Sequence, residues 1–376
     1  MSASLRGRPA SLSRLPIIFF TRLLSRRRLG RQAPSRGLGS GFYRLSGLAA
    51  CLALALFICS LLAAPEVLAK QTSFDQEKVL YEGFQSGLAL VNQGADIISG
   101  PGMAEAEKAG APSPGLKSFS VLSGGRLRYH TDSHIDMNSL SLLTGMAWGQ
   151  DLDPGHLTIA AFLEYGRGSY KTYNSFDNAP SVHGQGDTYR LGGGYLGRLH
   201  FADSASGHIY TEASFRVGEV RNDYRNDDLR DSHGRRAEYD SESLYYGFHL
   251  GSGYQTALTQ KFSSDIYGKF LWARQEGDSN TLANGDPANF QDTVSSRLRV
   301  GYRLTYALND NLSPYIGPTY EYEINAPALQ GGTGGGELGL NFKPSPGQPL
   351  SLDMGLQCFM GQNEGLAGNL QLKYEF

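Results

Sequence analysis

Side chains in the last 260 residues of the chain alternate between apolar and polar, the period that puts successive residues on opposite faces of a β-strand. The terminal segment shows it best. Leu366, Gly368, Leu370, Leu372, Tyr374 and Phe376 share one face, and Ala367, Asn369, Gln371, Lys373 and Glu375 share the other. The same pattern sets Leu298, Val300, Tyr302, Leu304 and Tyr306 against Arg297, Arg299, Gly301, Arg303 and Thr305. It also sets Leu191, Gly193, Tyr195, Leu199 and Phe201 against Arg190, Gly192, Gly194, Arg198 and His200. In residues 157–165 the apolar face is Leu157, Ile159, Ala161, Leu163 and Tyr165. A helical membrane protein is excluded for residues 70–376, because no stretch there reaches the ~20 apolar residues that a spanning helix requires.

The alternation predicts twelve strands, near 118–130, 135–149, 156–170, 187–202, 207–222, 240–254, 261–274, 291–305, 311–322, 333–343, 349–360 and 366–376. Short connections at 150–155, 203–206, 255–260, 306–310 and 344–348 interleave with longer ones at 171–186, 223–239, 275–290, 323–332 and 361–365. That asymmetry is the pattern of outer-membrane barrels, which turn tightly in the periplasm and loop outward at the surface. A soluble β-sandwich, which would bury the apolar face and expose the polar one, is the alternative; against it count strands of 11–16 residues where ordinary ones are usually ~5–6 and the recurrence of Arg, Lys, Asp and Glu at mid-strand. In a closed barrel Arg190, Arg198, Arg216, Arg297, Arg299 and Arg303 line a wet lumen with Glu164, Glu212, Asp265, Glu321 and Asp353, while the apolar face meets lipid. Trp148 and Trp272 fall near opposite rims, where aromatic rings favour the membrane interface. The expected fold is therefore all-β: a 12-stranded antiparallel up-and-down transmembrane barrel.

The N-terminal part has a different composition. Residues 1–69 carry ten Arg, no Lys and one acidic residue, Glu66, so Lys70 onward holds 24 basic against 35 acidic side chains, a net charge of −11. Nucleic-acid binding loses its electrostatic footing, since phosphate affinity needs clustered cations. The 17-residue apolar run 48–64 follows Arg-rich sequence and leads to Val67-Leu68-Ala69, a small-residue cleavage pattern that would make Lys70 the first mature residue. Residues 1–69 are thus expected to be a signal peptide with an extended basic leader. Retention as an anchor, a lipoprotein box at Leu48-Ala49-Ala50-Cys51 and a twin-arginine signal at Arg26-Arg27-Arg28 are the alternatives. Cys51 and Cys59 lie in the apolar run and leave Cys358 alone, so no disulfide framework is expected.

Between signal and barrel, residues 70–116 are expected to supply a helix and a linker. Leu80, Phe84, Leu88, Val91, Ala95 and Ile98 form an amphipathic stripe, Ser73 with Gln76 gives a capping box, and Gly100-Pro101 marks the end. A helix over 74–99 would be ~39 Å long at 1.5 Å per residue, enough to thread a bilayer-thick barrel. Gly83, Gly87 and Gly94 would let it pass close to the wall. The barrel then occupies 117–376. A free periplasmic helix is the other possibility for this segment.

Three stretches carry a family likeness: GLALVNQGADII in the helix, SGGRLRYHTDSHIDMNSLSLLTGMAWG across the first hairpin, and the terminal LQLKYEF. Over about residues 75–376 the sequence resembles the C-terminal translocator domain of the autotransporter family. The resemblance implies a twelve-stranded barrel with a helix in its pore, helping to carry an N-terminal passenger to the cell surface. Only about five residues separate Lys70 from the helix, so the expectation is a translocator barrel lacking its own passenger. Some members cut the passenger free at a paired Asn in the pore helix; here Asn92 is followed by Gln93, and no such cleavage is expected.

The resemblance also sets the expected partners: outer-membrane lipids, the barrel-assembly machinery and periplasmic chaperones. The chain is expected to be a monomer in the outer membrane of a Gram-negative bacterium, without cofactor or metal. Leu370, Leu372, Tyr374 and Phe376 are the candidate assembly signal, and Leu80, Phe84, Leu88 and Val91 the candidate pore-helix contacts. His130 and His134, with Asp132, Ser133 and Asp136, form the densest cluster of reactive side chains, but no second cluster at metal-ligand spacing supports a site. No enzyme activity is expected; a passive pore or a barrel lipase or protease are the rival readings. The charged stretch 221–240 reads as a solvated surface loop of mixed sign.

Overall fold

The computed structural model describes residues 75–110, 115–131, 133–153, 155–176, 179–201, 207–230, 233–283, 285–326, 328–343 and 350–374. The expected signal peptide, its cleavage point, Ser73 of the capping box and Phe376 lie outside them. Helix α1 spans Asp75–Ile97, and α2 spans Met103–Gly110. Strands β1 (Lys117–His130), β2 (His134–Leu152), β3 (Gly155–Phe176), β4 (Ala179–Phe201), β5 (His208–Arg230), β6 (Arg236–Ala257) and β7 (Phe262–Gln275) follow. After two short strands, β8 (Asp278–Thr281) and β9 (Pro287–Phe290), come β10 (Thr293–Tyr306), β11 (Leu312–Glu323), β12 (Gly331–Phe342), β13 (Leu350–Gly361) and β14 (Asn363–Tyr374).

All long strands pair antiparallel with their chain neighbours, and β14 closes on β1, with Leu370 opposite Leu122 and Leu372 opposite Ser120. The result is a closed ring of twelve strands with no free edge. Side chains follow the alternation: Leu163 is 65 % exposed and Tyr195 70 % exposed on the outer wall, while Arg190 on the inner wall is 1 % exposed. No helix among the described residues is long and apolar enough to cross a membrane.

Two sequence expectations need correction. Segments 171–186 and 223–239 are not loops: β3 to β6 run to 22–23 residues and stand far above the ~9–11 that cross a bilayer. Cross-strand pairs such as Lys171 with Gln185 and Tyr224 with Tyr239 carry the ladder through the charged sequence, so polarity there marks emergence from lipid rather than loss of strand. Likewise 361–365 is mostly strand, and the loop after β7 contains the β8–β9 hairpin.

The second correction is to the helix. Gly100-Pro101 does not end it. Pro101 lacks an N–H and its ring crowds the carbonyl four residues back, so the helix opens into a wide turn at Ile98–Gly102, with Gly100 at φ −106°, ψ −106°, and resumes as α2. The wide turn and α2 bury Ile98, Met103, Ala106 and Ala109 against Phe119, Val121, Leu143, Ala160, Phe162 and Leu196 of the inner wall.

Close passage of α1 depends on its glycines. A Cβ at Gly83 would collide with the rings of Tyr224 and Tyr239, at Gly87 it would lie 2.6 Å from Asn222, and at Gly94 it would overlap the guanidinium of Arg190 and lie 2.6 Å from Glu164. Gly94→Val is expected to destabilise the barrel by about 1–3 kcal/mol, the usual cost of overpacking. Gly334→Ala, whose Cβ would meet only Met360 O at 3.8 Å, should change stability by less than about 0.5 kcal/mol. Denaturant unfolding of the two variants in detergent checks this; equal midpoints would mean that the helix does not need the close approach.

Candidate functional site: the plugged lumen

The lumen is filled in two chemically different layers. Near the mouth formed by the tall hairpins, Val79, Phe84, Leu88, Ala89 and Leu90 pack against Leu127, Tyr129, Ile135, Met137, Tyr170, Tyr224 and Tyr239. Here the inner wall is apolar and aromatic, where alternation predicted polar residues. Of the four predicted pore-helix contacts, Phe84, Leu88 and Val91 are completely buried and Leu80 is partly buried. Val91 sits in a separate cluster with Val220, Tyr245 and Ala273. Each fully buried Leu, Phe or Val contributes about 1.5–3 kcal/mol relative to exposure.

Below this layer the helix is held by ions. Glu164 on β3 accepts from Tyr245 Oη at 2.9 Å and lies 3.1 Å from Arg190 Nε and 3.3 Å from Arg216 Nη1, all four residues being buried. The two arginines reach on to the helix backbone: Arg190 donates to Leu90 O, and Arg216 donates to Val91 O at 2.8 Å. Arg297 on β10 donates to Asn92 O at 3.0 Å and to Asp96 at 2.8 Å, and Arg299 adds a 2.6 Å contact to Asp96. Lys269 bridges Ser99 O to Glu212, the latter at 2.7 Å. At the end of α2, Glu107 meets Arg198 and, at 2.8 Å, His200, while Lys108 pairs with Asp353 and, at 2.7 Å, Glu105. Ion pairs between Lys or Arg and carboxylates this deep are costly to desolvate, and their geometry must be good to compensate.

The predicted lining residues are therefore present, but most are occupied by one another and by the helix. What sequence reasoning missed are the helix partners Glu82, Asp96, Glu107 and Lys108. They lie on the polar side of α1 or past the apparent end of the helix, and Glu82 accepts from Thr131 at 2.8 Å. Also unforeseen was the cover. The β8–β9 hairpin folds over the helix so that Phe290 stacks on Phe84 at 4.8 Å and 4°, with Leu282 and Ala288 buried beside them and Ala326 and Leu329 closing the gap. The hairpin's base is tied by Asp292, which takes the Gly277 N–H at 2.7 Å and pairs with Arg274. That N–H and the Arg274 guanidinium hold the Asp292 carboxyl below the ordinary carboxylate range.

A polar cavity of about 260 Å³ remains beside the helix, lined among others by Asp96, Arg299, Arg303, Tyr267, Glu321 and Glu337. The candidate assembly residues Leu370, Leu372 and Tyr374 lie on β14. Among the described residues no group of three or more His, Cys, Asp or Glu is arranged to hold a metal ion. His130 and His134 are opposite one another on β1 and β2 and point outward, away from the lumen.

Residues 122–357 match the family described as Autotransporter beta-domain. The chain belongs to that family. Similar solved structures are the translocator domain of the autotransporter NalP from Neisseria meningitidis and the beta domain of the Bordetella autotransporter BrkA. The first is 13 % identical, with TM-score 0.59 and coverage of 80 % of this chain and 99 % of that one. The second is 16 % identical, with TM-score 0.55 and coverage of 69 % and 99 %. The transport unit of AIDA-I from Escherichia coli is 14 % identical at TM-score 0.53, covering 73 % and 97 %. At these identities the likeness is one of fold. A protein of Escherichia coli (strain K12), YaiT, is 28 % identical over 151 residues, 35 % of this chain; the match spans 16 % of YaiT. The protein is thus an autotransporter translocator barrel of the Gram-negative outer membrane, and among the described residues no passenger domain is present.

Because the cover leans on Phe84 and the arginines lean on the helix backbone, removing α1 and α2 takes away both closures. The full chain is expected to conduct ions weakly in planar bilayers, and a variant lacking residues 75–110 to conduct at least several-fold better. Equal, large conductance of the two would remove the plug and leave a passive pore. Equal closure would show that the β8–β9 hairpin seals the mouth alone.

Proposed function

We propose that the barrel, without a passenger of its own, has a structural and translocation role in the outer membrane, with the helix as the stopper of its path. The observation that carries this reading is the direction of the helix. Its first turns lie at the tall-hairpin mouth, where Tyr239 donates to Leu80 O at 2.8 Å, and its end lies at the turn side, where Gly110 packs on Thr158 and Gly149. With short turns in the periplasm, a chain preceding Asp75 leaves the barrel on the outside. The signal peptide 1–69, the helix and linker 70–116 and the barrel 117–376 are the working division of the chain. The barrel is read as a monomer without catalytic activity, inserted with the help of periplasmic chaperones and the barrel-assembly machinery.

An epitope inserted just before Asp75 is expected to be reached by antibody on intact cells. Labelling only after permeabilisation would reverse the orientation and end the translocation reading.

Assembly is proposed to depend on the last strand, where the sequence alternation puts Leu370, Leu372, Tyr374 and the aromatic Phe376 on one face. β14 forms the closing seam with β1, so delay in its pairing leaves two strand edges open. Removing Phe376 is expected to lower the amount of folded, heat-modifiable barrel several-fold; an unchanged yield on gels would exclude an assembly role.

A further inference from the structure

Along the outer wall of β1 to β5 the apolar belt ends abruptly. Leu140, Leu142, Leu163, Tyr165, Leu191, Phe215 and Val217 are exposed as a lipid-facing surface should be. Two to four residues further toward the tall mouth, the outward positions include Arg126, Asn138, Arg167, Ser169, Asp187 and Arg221. Arg126 faces Asn138, which faces Ser169; in the next row Arg128 faces Asp136, Asp136 faces Lys171, and Lys171 faces Gln185, which faces Arg225. Side chains opposite one another on a sheet are close enough to act on one ligand.

The charges of this patch are unevenly matched. Asp136 is fully engaged by Arg128 at 2.6 and 2.8 Å. Asp187 lies 3.7 Å from Arg167, and Asp223 lies 3.9 Å from Arg225 while accepting the Asp187 N–H at 2.9 Å. The side chains of Arg126 and Lys171 are exposed and make no salt bridge or hydrogen bond among the described residues, Arg126 acting on Asp136 only at longer range. Between them the wall forms a concavity of about 390 Å³, bordered by Arg126, Lys171, Arg225, Ser169, Asn138 and Gln185. Three cations, Arg126, Lys171 and Arg225, against two carboxylates, Asp136 and Asp187, line a hollow that also offers neutral hydrogen-bonding groups.

We propose that this hollow binds the phosphorylated sugar headgroup of the outer-leaflet glycolipid. Its acyl chains would lie along the Leu140–Leu163–Leu191 surface below, and one phosphate would be held by Arg126 and another by Lys171 and Arg225. Arginine and lysine next to an apolar surface are the arrangement that recognises an anionic lipid head. Asn138, Ser169 and Gln185 provide neutral partners for the sugar hydroxyls. The placement rests on the orientation proposed above, in which the tall hairpins face outward.

The test is a titration of the folded full chain in zwitterionic detergent with bis-phosphorylated lipid A, read by native mass spectrometry. It does not depend on orientation in cells, so its failure is distinct from failure of the epitope experiment. Wild type is expected to retain one lipid A. The pair Arg126→Gln and Lys171→Gln is expected to weaken it roughly thirtyfold. Arg221→Gln, on a residue already paired with Glu219 and Glu242, should weaken it less than about threefold, and Lys171→Arg should restore binding. Heat-modifiability on gels confirms that each variant is folded. Equal retention of fully dephosphorylated lipid A or of phosphatidylcholine would overturn the proposal in favour of acyl-chain adhesion alone. Displacement of lipid A by millimolar inorganic phosphate would overturn it in favour of a free-anion site.

Discussion

A sheet can stand in hydrocarbon only if every strand edge is paired, and closing twelve strands into a ring does this. The same closure encloses a lumen wider than the eight-stranded kind that inward side chains can fill. This hole is the constraint from which the remaining structure follows. The inner wall must be polar where it is wet and apolar where it is dry, and one segment has to enter it. Helix α1 fits because glycines at 83, 87 and 94 remove side chains where Tyr224, Asn222 and Arg190 press closest. The wide turn at Ile98–Gly102 then lets the chain continue into α2 instead of ending at Pro101.

Filling a hole with apolar groups gives affinity but little registry, because a greasy helix can slide or rotate in a greasy sleeve. Ions supply the registry. The carbonyls of Leu90, Val91 and Asn92 are taken by Arg190, Arg216 and Arg297 from β4, β5 and β10 respectively. Successive helix residues are 100° apart around the axis, so three consecutive acceptors held from three strands fix rotation as well as height. Glu164 stands between Arg190 and Arg216 and keeps two like charges tolerable at close range. Buried pairs of this kind add little net stability, yet losing one partner leaves an uncompensated charge. They therefore act as a latch with one seated position.

Much of this was legible in the sequence. Period-two alternation gave the strand count, the outward and inward faces and the closing strand, because lipid on one side and a lumen on the other impose opposite requirements on neighbouring residues. The lining arginines were legible for the same reason. The tops of β3 to β6 were not: above the membrane both faces meet water, polarity ceases to alternate, and Asn226 or Asp228 look like loop residues although the ladder continues past them. The helix residues that pair with the wall were hidden because a carboxylate such as Asp96 on a helix reads as solvated until the facing strand is known. The β8–β9 cover was hidden because Leu282 and Phe290 find their partner, Phe84, some 200 residues away in the chain.

The lumen is filled on one side and open on the other, and the strand lengths explain why. The tall strands β3 to β6 hold the apolar layer, with Tyr170, Tyr224 and Tyr239 continuing above the membrane so that α1 has a wall to lean on for its whole length. Strands β11 to β14, at 12 residues each, end lower and offer no such wall. There the polar cavity remains, and the β8–β9 hairpin leans in from between β7 and β10 to close the mouth above. The division also settles where the charges can be tolerated. Arg299 binds Asp96 on the helix and Glu321 on the wall while still bordering the cavity, so water there can take guanidinium donors that the protein does not. In the dry half no such solvent is at hand, and Arg190 and Arg216 have to turn to the helix backbone. Helix carbonyls are thus taken in both halves, Leu90 and Val91 by Arg190 and Arg216 in the dry half and Asn92 and Ser99 by Arg297 and Lys269 beside the cavity.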